Sequence, residues 1–185
     1  GTLHLESVDV QECTADNGGF AYLESNATLI ISGKTTIKDC VARLKGGAIY
    51  ASIGAKLILT AGFDGSQWQE IVIKENKATE GGGIYMETNS ILSHRGLIIE
   101  NNKANIGGGL VMDSANVVGI PDSSKLYKGT VGSAARSNEA VLGTVEGTTG
   151  VGVDGNKGLG GGIFATGKKV VLNAFNVSNC KGQYG

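Results

Sequence analysis

Three carboxylates recur at one position of a repeated motif, which makes them the residues of this chain best placed for chemistry. Glu12, Asp39 and Glu75 each lie two residues after a Val or Ile and directly before a Cys or Asn. In stacked units such side chains lie about 5 Å apart, a spacing that could raise a carboxyl pKa or hold a cation. Lysines such as Lys38 and Lys74 recur beside them. We therefore expect a solvated charge ladder with no catalytic residue and no bound metal.

The chain contains three cysteines, Cys13, Cys40 and Cys180. They form no CxxC pair and are accompanied by only two His, so a zinc site is not expected. Cys13 and Cys40 occupy equivalent positions in neighbouring units. A disulfide between them and a pair of buried free thiols are both compatible with that spacing.

Other short motifs predict little chemistry. His94 and Arg95 lie next to Gly96, and we interpret them as solvated residues of a loop. Residues 150–155 match GxGxxG, but they follow no convincing strand and open no helix, which excludes a dinucleotide site. No cofactor is predicted.

Two glycosylation sequons are present, at Asn26-Ala-Thr28 and Asn176-Val-Ser178. Asn26 falls between apolar runs, where a loop is expected, and is the better acceptor of the two. Both sites matter only in a secreted chain of a eukaryotic host.

Composition narrows the class of protein. With 16 basic and 17 acidic residues the net charge is -1, which argues against a nucleic-acid partner. No apolar run approaches the roughly 20 residues of a membrane-spanning helix, so no direct membrane span is expected. The 31 Gly, the single Pro, the 5% aromatic content and the 41% hydrophobic content favour a thin core built from many short strands.

An internal repeat runs along the whole chain. Each unit has an apolar residue, then Cys or Asn three places later, then Ala or Gly two places after that, and in five of the six units a glycine corner follows. The Cys/Asn positions are separated by 27, 36, 26, 54 and 24 residues, a period typical of stacked units. The glycine content and the short β-branched runs disfavour helices. The pattern predicts an all-β single parallel β-helix of about six coils, with three short strands in each.

The repeated residues have predictable structural roles. We expect the Cys/Asn side chains to stack as a ladder of hydrogen bonds, and the glycine corners to allow positive φ and close approach of stacked backbones. The predicted ladder residues are Cys13, Cys40, Asn76, Asn102, Asn156 and Cys180. The predicted glycine corners are Gly18, Gly19, Gly46, Gly47, Gly81, Gly82, Gly107, Gly108, Gly160 and Gly161.

Two stretches interrupt the period, and we interpret residues 60–70 and 119–150 as loop insertions. The second stretch also allows a degenerate unit, because Ala135-x-x-Asn138-x-Ala140 matches the motif. Asn138 and Asn156 are too close for both to be ladder positions, and the glycine corner after Asn156 favours that residue. Residues 1–185 are expected to be one segment of a longer protein.

The repeats resemble those of a known family. Gly46-Gly47-Ala48-Ile49 and its relatives at 81–84, 107–110 and 160–163, each preceded by an apolar-x-x-Asn or apolar-x-x-Cys step, resemble the GGAI and FxxN repeats of the chlamydial polymorphic outer-membrane proteins. This chain has Val or Ile in place of Phe, and Cys at three of the six Asn sites. The resemblance implies a right-handed β-helix in an adhesin-like passenger domain at the cell surface. Other β-helix surface proteins carry similar glycine-rich repeats.

These observations predict a non-enzymatic structural or adhesin-like segment of an extracellular surface protein, forming a rigid repetitive stalk or filament building block. Its expected partners are other segments or copies of the same or related surface proteins, and host-cell or glycan ligands. The aromatic residues of the two interrupting stretches, Phe63, Trp68 and Tyr127, are candidates for recognition. The alternative is a carbohydrate-active lyase or hydrolase that uses the Glu12, Asp39 and Glu75 row.

Overall fold

The computed structural model describes residues 1–119, 129–131, 139–140, 161–167, 170–172, 175–177 and 180. These residues form an all-β structure, and the described part of the chain contains no helix. Three parallel sheets make up most of it. The all-β class and the parallel pairing predicted from the repeat are therefore confirmed.

Among the described residues, the first and second sheets each contain six short strands and the third contains five. The first sheet contains, in spatial order, Thr2–Glu6, Thr28–Ser32, Lys56–Thr60, Ile91–Arg95, Asn116–Gly119 and Val171–Leu172. The second contains Asp9–Gln11, Thr35–Lys38, Ile71–Lys74, Leu97–Glu100, Gly129–Val131 and Phe175–Val177. The third contains Ala21–Leu23, Ile49–Ala51, Ile84–Met86, Leu110–Asp113 and Ile163–Thr166.

The chain visits the three sheets in a fixed order. It passes from the first to the second to the third, and on its return each strand pairs in parallel with the strand of the previous visit. We call one such passage a circuit. Equivalent residues of successive circuits therefore stack in columns that run across each sheet.

Successive side chains of a strand point to opposite faces of the sheet, and this alternation sets which columns face inward. In Thr28–Ser32 the side chains of Leu29 and Ile31 are buried, and the other three side chains of the strand are partly exposed. Burying a Leu or Ile side chain completely contributes roughly 1.5–3 kcal/mol. The main inward columns are Leu3, Leu29, Leu57, Leu92 and Val117 in the first sheet, Val10, Ile37, Ile73 and Ile99 in the second, and Ala21, Ile49, Ile84 and Leu110 in the third.

A narrower strip of pairing lies between the second and third sheets. Thr14–Asn17 pairs with Val41–Lys45, and Lys103–Ala104 pairs with Glu139–Ala140. Single bridges from Lys77 to Val41 and to Lys103 connect the two pairs. This strip positions the residues that precede each glycine corner.

The stretches predicted as loop insertions differ from one another. In 60–70, Thr60 ends a strand of the first sheet, while Gly62–Phe63 and Trp68–Gln69 form an antiparallel hairpin outside the parallel sheets. In 119–150, Gly129–Val131 joins the second sheet and Glu139–Ala140 pairs with Lys103–Ala104. Ala135 and Asn138 lie outside the described part, as do the remaining residues of 120–150, so both the loop insertion and the degenerate unit stay predictions.

Candidate functional site

Four predicted ladder residues lie on successive circuits at the end of the second sheet. Cys13 and Cys40 are stacked because Gln11 pairs with Lys38 and Thr14 pairs with Val41. Asn76 and Asn102 continue the column and are both completely buried. The repeat therefore brings one polar side chain from each circuit into the same place.

The two asparagines form a continuous chain of hydrogen bonds. The backbone N–H of Cys40 donates to Oδ1 of Asn76 at 2.9 Å, and that of Asn76 donates to Oδ1 of Asn102 at 3.0 Å. The Nδ2 group of Asn76 donates to the carbonyl of Ile37 at 3.1 Å and to Asn102 Oδ1 at 3.0 Å, and Nδ2 of Asn102 donates to the carbonyl of Ile73 at 3.0 Å. Each amide thus satisfies backbone groups that the turn between strands would leave buried and unpaired.

Cysteine replaces the amide in the first two circuits. The Cys40 thiol donates to the carbonyl of Lys38 at 3.3 Å, and the Cys13 thiol to that of Gln11 at 3.6 Å. Burial raises the pKa of Cys40 to about 11; the backbone of Cys13 lowers the pKa, while the Cys13 side chain and Asp39 add smaller upward contributions. Both thiols are free in this structure.

Three positions of the predicted ladder remain: Cys180, Asn156 and its alternative, Asn138. Cys180 is half-buried and packs against the main core. Asn156 and Asn138 both lie outside the described residues.

The glycine corners combine two requirements. In the four corners whose first glycine is described, that glycine has a positive φ, as at Gly46, where φ is 66°. The second lies against the backbone of the next circuit. A Cβ at Gly47 would overlap the Gly82 carbonyl and approach the backbone N and O of Lys77 to 2.8 and 2.7 Å. Equivalent conformations or contacts occur at Gly18, Gly19, Gly81, Gly82 and Gly107, while Gly108 and Gly161 are buried and Gly160 lies outside the described residues.

The carboxylate row occupies a strained turn directly before the ladder. Glu12, Asp39 and Glu75 have φ of 59°, 55° and 60°, and Asn101 holds the same position in the next circuit with φ of 55°. L-residues other than Gly adopt this region at a cost of roughly 1–2 kcal/mol. Since Gly, Asn and Asp tolerate it best, the two glutamates are the unusual choices.

Two of the three carboxylates, Asp39 and Glu75, are close to a neighbouring polar group. Oδ2 of Asp39 lies 3.7 Å from Nζ of Lys38, and Oε2 of Glu75 lies 3.4 Å from Nζ of Lys74. Asn101 also donates to Glu75 at 3.4 Å. These contacts are partly exposed and follow the interleaved charge pattern expected from the sequence. They do not form a convergent pair of carboxylates around an enclosed cavity.

An aromatic column on the outer face of the third sheet was missed by the sequence analysis. Tyr22, Tyr50 and Tyr85 are in register, with ring centroids 4.9 and 5.7 Å apart and interplanar angles of 15° and 18°. The signal was present, because a Tyr stands four residues after the first glycine of each of the first three corners. Tyr22 is 53% exposed, whereas the other two rings are almost buried.

Charged side chains cover the two inner rings. The Lys45 ammonium lies 4.2 Å from the centre of the Tyr85 ring and donates to the Tyr85 hydroxyl at 3.0 Å. The same ammonium lies 3.9 Å from Oε2 of Glu80. Burial alone would lower the pKa of Lys45, but the bond to Tyr85 and the nearby carboxylates raise it. The Tyr50 hydroxyl donates to Glu87, and burial followed by this bond raises the pKa of Tyr50. A groove of about 290 Å³ lies beside these residues, lined by Asn17, Leu44, Lys45, Tyr50, Thr79 and Glu80.

The structure corrects the prediction that His94 is a solvated loop residue. His94 lies in the strand Ile91–Arg95 and is completely buried, so it is not a solvated loop residue. Its register partner is Leu59, which in turn pairs with Ile31, and the imidazole therefore occupies an inward column of the first sheet. Arg95 ends the same strand and is partly buried.

The predicted glycosylation sites and the aromatic candidates for recognition lie in different parts of the structure. Asn26 is exposed and has φ of 60°, which places it in a turn. The backbone of Asn176 lies within the strand Phe175–Val177. Phe63 is 58% exposed on the hairpin that also contains Trp68. Tyr127 lies outside the described residues.

The described residues show neither a membrane-spanning helix nor a metal-binding cluster. The described residues contain no helix long and apolar enough to cross a membrane. Among the same residues, no three His, Cys, Asp or Glu side chains are grouped so that they could hold a metal ion. No family model matches this chain, and no curated protein or solved structure matches it.

Proposed function

We propose that the chain is a single-stranded right-handed parallel β-helix of about six coils, each with three short strands. The cyclic order of strands through three parallel sheets supports this architecture, and so do the side-chain columns that cross every circuit. The right hand follows from the resemblance to the surface-protein repeats. A crystal structure with a left-handed path would overturn it.

We further propose that this helix is a structural or adhesin-like segment of an extracellular surface protein. The observation that carries the proposal is the uninterrupted in-register pairing, in which Leu29, Leu57 and Leu92 stack through successive circuits. Such an array supplies length, rigidity and a repetitive outer face. These are the properties of a stalk or of a filament building block, and they require no catalytic group.

The proposed partners follow from this role. Other segments or copies of the same or related surface proteins would contact the repetitive faces, and host-cell or glycan ligands would contact the projecting parts. The hairpin at Gly62–Gln69 is the best candidate among the described residues, because Phe63 is exposed there on a rigid scaffold.

Surface labelling tests the location. Antibodies raised against the hairpin would be applied to intact and to permeabilised cells that produce the parent protein. We expect labelling of intact cells, and we expect its loss after brief treatment of those cells with an external protease. Labelling that requires permeabilisation would refute an extracellular role.

A carbohydrate-active enzyme is the second candidate, favoured only by the alignment of Glu12, Asp39 and Glu75 on successive circuits. The pairing of Asp39 and Glu75 with their own lysines argues against it. Incubation with polyuronates would decide the matter. Cleavage that is lost in Asp39→Asn would favour the enzyme, whereas no product from a broad polysaccharide panel would favour the structural role.

A further inference from the structure

Cys13 and Cys40 are held directly beside each other by backbone pairing on both sides. Gln11 pairs with Lys38 before them, and Thr14 pairs with Val41 after them. The N–H of Val41 also donates to the carbonyl of Cys13 at 2.8 Å. Adjacent strands are about 4.7–4.9 Å apart, and disulfides join residues whose Cα atoms are about 4.4–6.8 Å apart.

The two thiols share one environment. Each sulfur approaches the carbonyl two residues earlier in its own strand, at 3.6 Å for Cys13 and 3.3 Å for Cys40, so both point in the same direction along the column. Cys40 is completely buried and Cys13 is only half-buried, so a soluble oxidant reaches Cys13 first.

We propose that Cys13 and Cys40 form an oxidisable pair that a low-molecular-weight disulfide, such as oxidised glutathione, converts into a disulfide between the first two circuits. This inference does not depend on the proposed surface role. It rests on the register of the two strands.

The reaction proceeds by two exchanges. The Cys13 thiol loses its proton, and its thiolate attacks one sulfur of the oxidised glutathione, forming a mixed disulfide and releasing one glutathione thiolate. Cys40 then loses its proton and attacks Sγ of Cys13, releasing the second glutathione. Two protein thiols are oxidised, one glutathione disulfide is reduced to two thiols, and both protons pass to solvent or to the departing thiolates.

The new bond would close a loop of about 27 residues, the spacing between the two positions. Closing such a loop restricts the unfolded chain. We expect the thermal unfolding midpoint of the oxidised form to rise by roughly 4 °C or more. A disulfide that left the midpoint unchanged or lowered it would contradict the claim that the two strands are already aligned for it.

The test uses the reduced chain in a series of glutathione redox buffers, followed by alkylation and intact mass measurement. We expect the mass of the chain to fall by that of two hydrogens. Peptide mapping without reduction should show the Cys13 and Cys40 peptides joined by a disulfide and Cys180 alkylated. Cys180→Ser is the matched control and should oxidise like the wild type. Cys40→Ser should instead hold one glutathione on Cys13.

Two results would overturn the proposal. One is a wild-type chain that keeps glutathione on Cys13 without ever forming the cross-link. The other is a cross-link that involves Cys180. Near-ultraviolet circular dichroism of every variant would show whether the fold is retained. Cys40→Val provides a second, apolar replacement in case the buried serine hydroxyl prevents folding. Because the reaction is carried out on purified protein, its failure would leave the surface-labelling experiment unaffected.

Discussion

Removal of one ladder amide should destabilise the protein far more than its size suggests. In Asn76→Ala the backbone N–H of Cys40 loses its acceptor, and the carbonyl of Ile37 loses the donated Nδ2–H. Cys40 and Ile37 are completely buried, so neither group gains water in exchange. The substitution therefore leaves two polar groups unsatisfied inside the core.

The expected magnitude follows from those two groups. An unsatisfied buried donor or acceptor costs about 1–3 kcal/mol, so we expect a loss of roughly 2–6 kcal/mol of unfolding free energy. Asn102 keeps one donor to its Oδ1, the backbone N–H of Asn76, which limits the damage to one circuit. The loss is large compared with the stability of an ordinary domain.

Urea denaturation followed by circular dichroism would measure the change, and hydrogen exchange at the Cys40 amide would localise it. The matched control is Asn101→Gly, which removes the adjacent exposed amide and keeps a residue that accepts positive φ. We expect the control to change stability by less than about 0.5 kcal/mol. If Asn76→Ala lost less than about 1 kcal/mol, or left Cys40 exchange unaltered, the ladder would not have the role described here.

Three further outcomes are expected. Gly47→Ala should prevent folding or cost more than about 3 kcal/mol in urea denaturation. In Gly65→Ala no atom lies within 4 Å of the new Cβ, so this variant should fold and lose only the roughly 1–2 kcal/mol that its φ of 96° costs an alanine. Equal losses in the two variants would contradict the close stacking. Glu75→Gly should keep or raise stability, by up to about 1 kcal/mol, because it relieves a positive φ, and a large loss would assign the carboxylate another role. Burial raises the pKa of Cys40 to about 11, so the folded state retains this proton where the unfolded state releases it. That contribution is complete below about pH 9 and is lost as the pH rises through about 11. Urea midpoints should therefore fall more steeply between those pH values in the wild type than in Cys40→Val, and parallel curves would refute the assignment.

The repeat made much of this fold predictable. A Val or Ile followed three places later by Cys or Asn fixed both the inward column and the ladder, because the two positions have the same spacing in every unit. The corner at Gly46 and Gly47 was predictable for the same reason. Positive φ and close backbone approach each demand glycine at a defined place.

His94 shows where the sequence was misleading. Its polarity and its neighbour Arg95 suggested solvent, yet Leu92 and His94 alternate in phase with Leu57 and Leu59. Aligning the strands by their register, rather than by residue type, would have placed the imidazole inside. The strand pattern overrode the preference of the single residue.

The conformation of the carboxylate row could not be predicted from residue types. Glutamate rarely adopts positive φ, so Glu12 and Glu75 gave no sign of a left-handed turn. The Asn at position 101 was the better indicator. Contacts across circuits, such as Lys45 above Tyr85, depend on rotamers that a periodic sequence does not specify.

The inward leucine column of the first sheet has a kinetic consequence. Leu3 is 54% exposed, whereas Leu29 and Leu57 in the same column are 1% and 0% exposed. In the isolated 185-residue chain the first circuit therefore has less buried apolar surface than its neighbours, and its hydrogen bonds should open most often. For that isolated chain, amide exchange should slow progressively from Thr2–Glu6 to Lys56–Thr60, and any coil that packed on the first circuit would slow exchange in Thr2–Glu6.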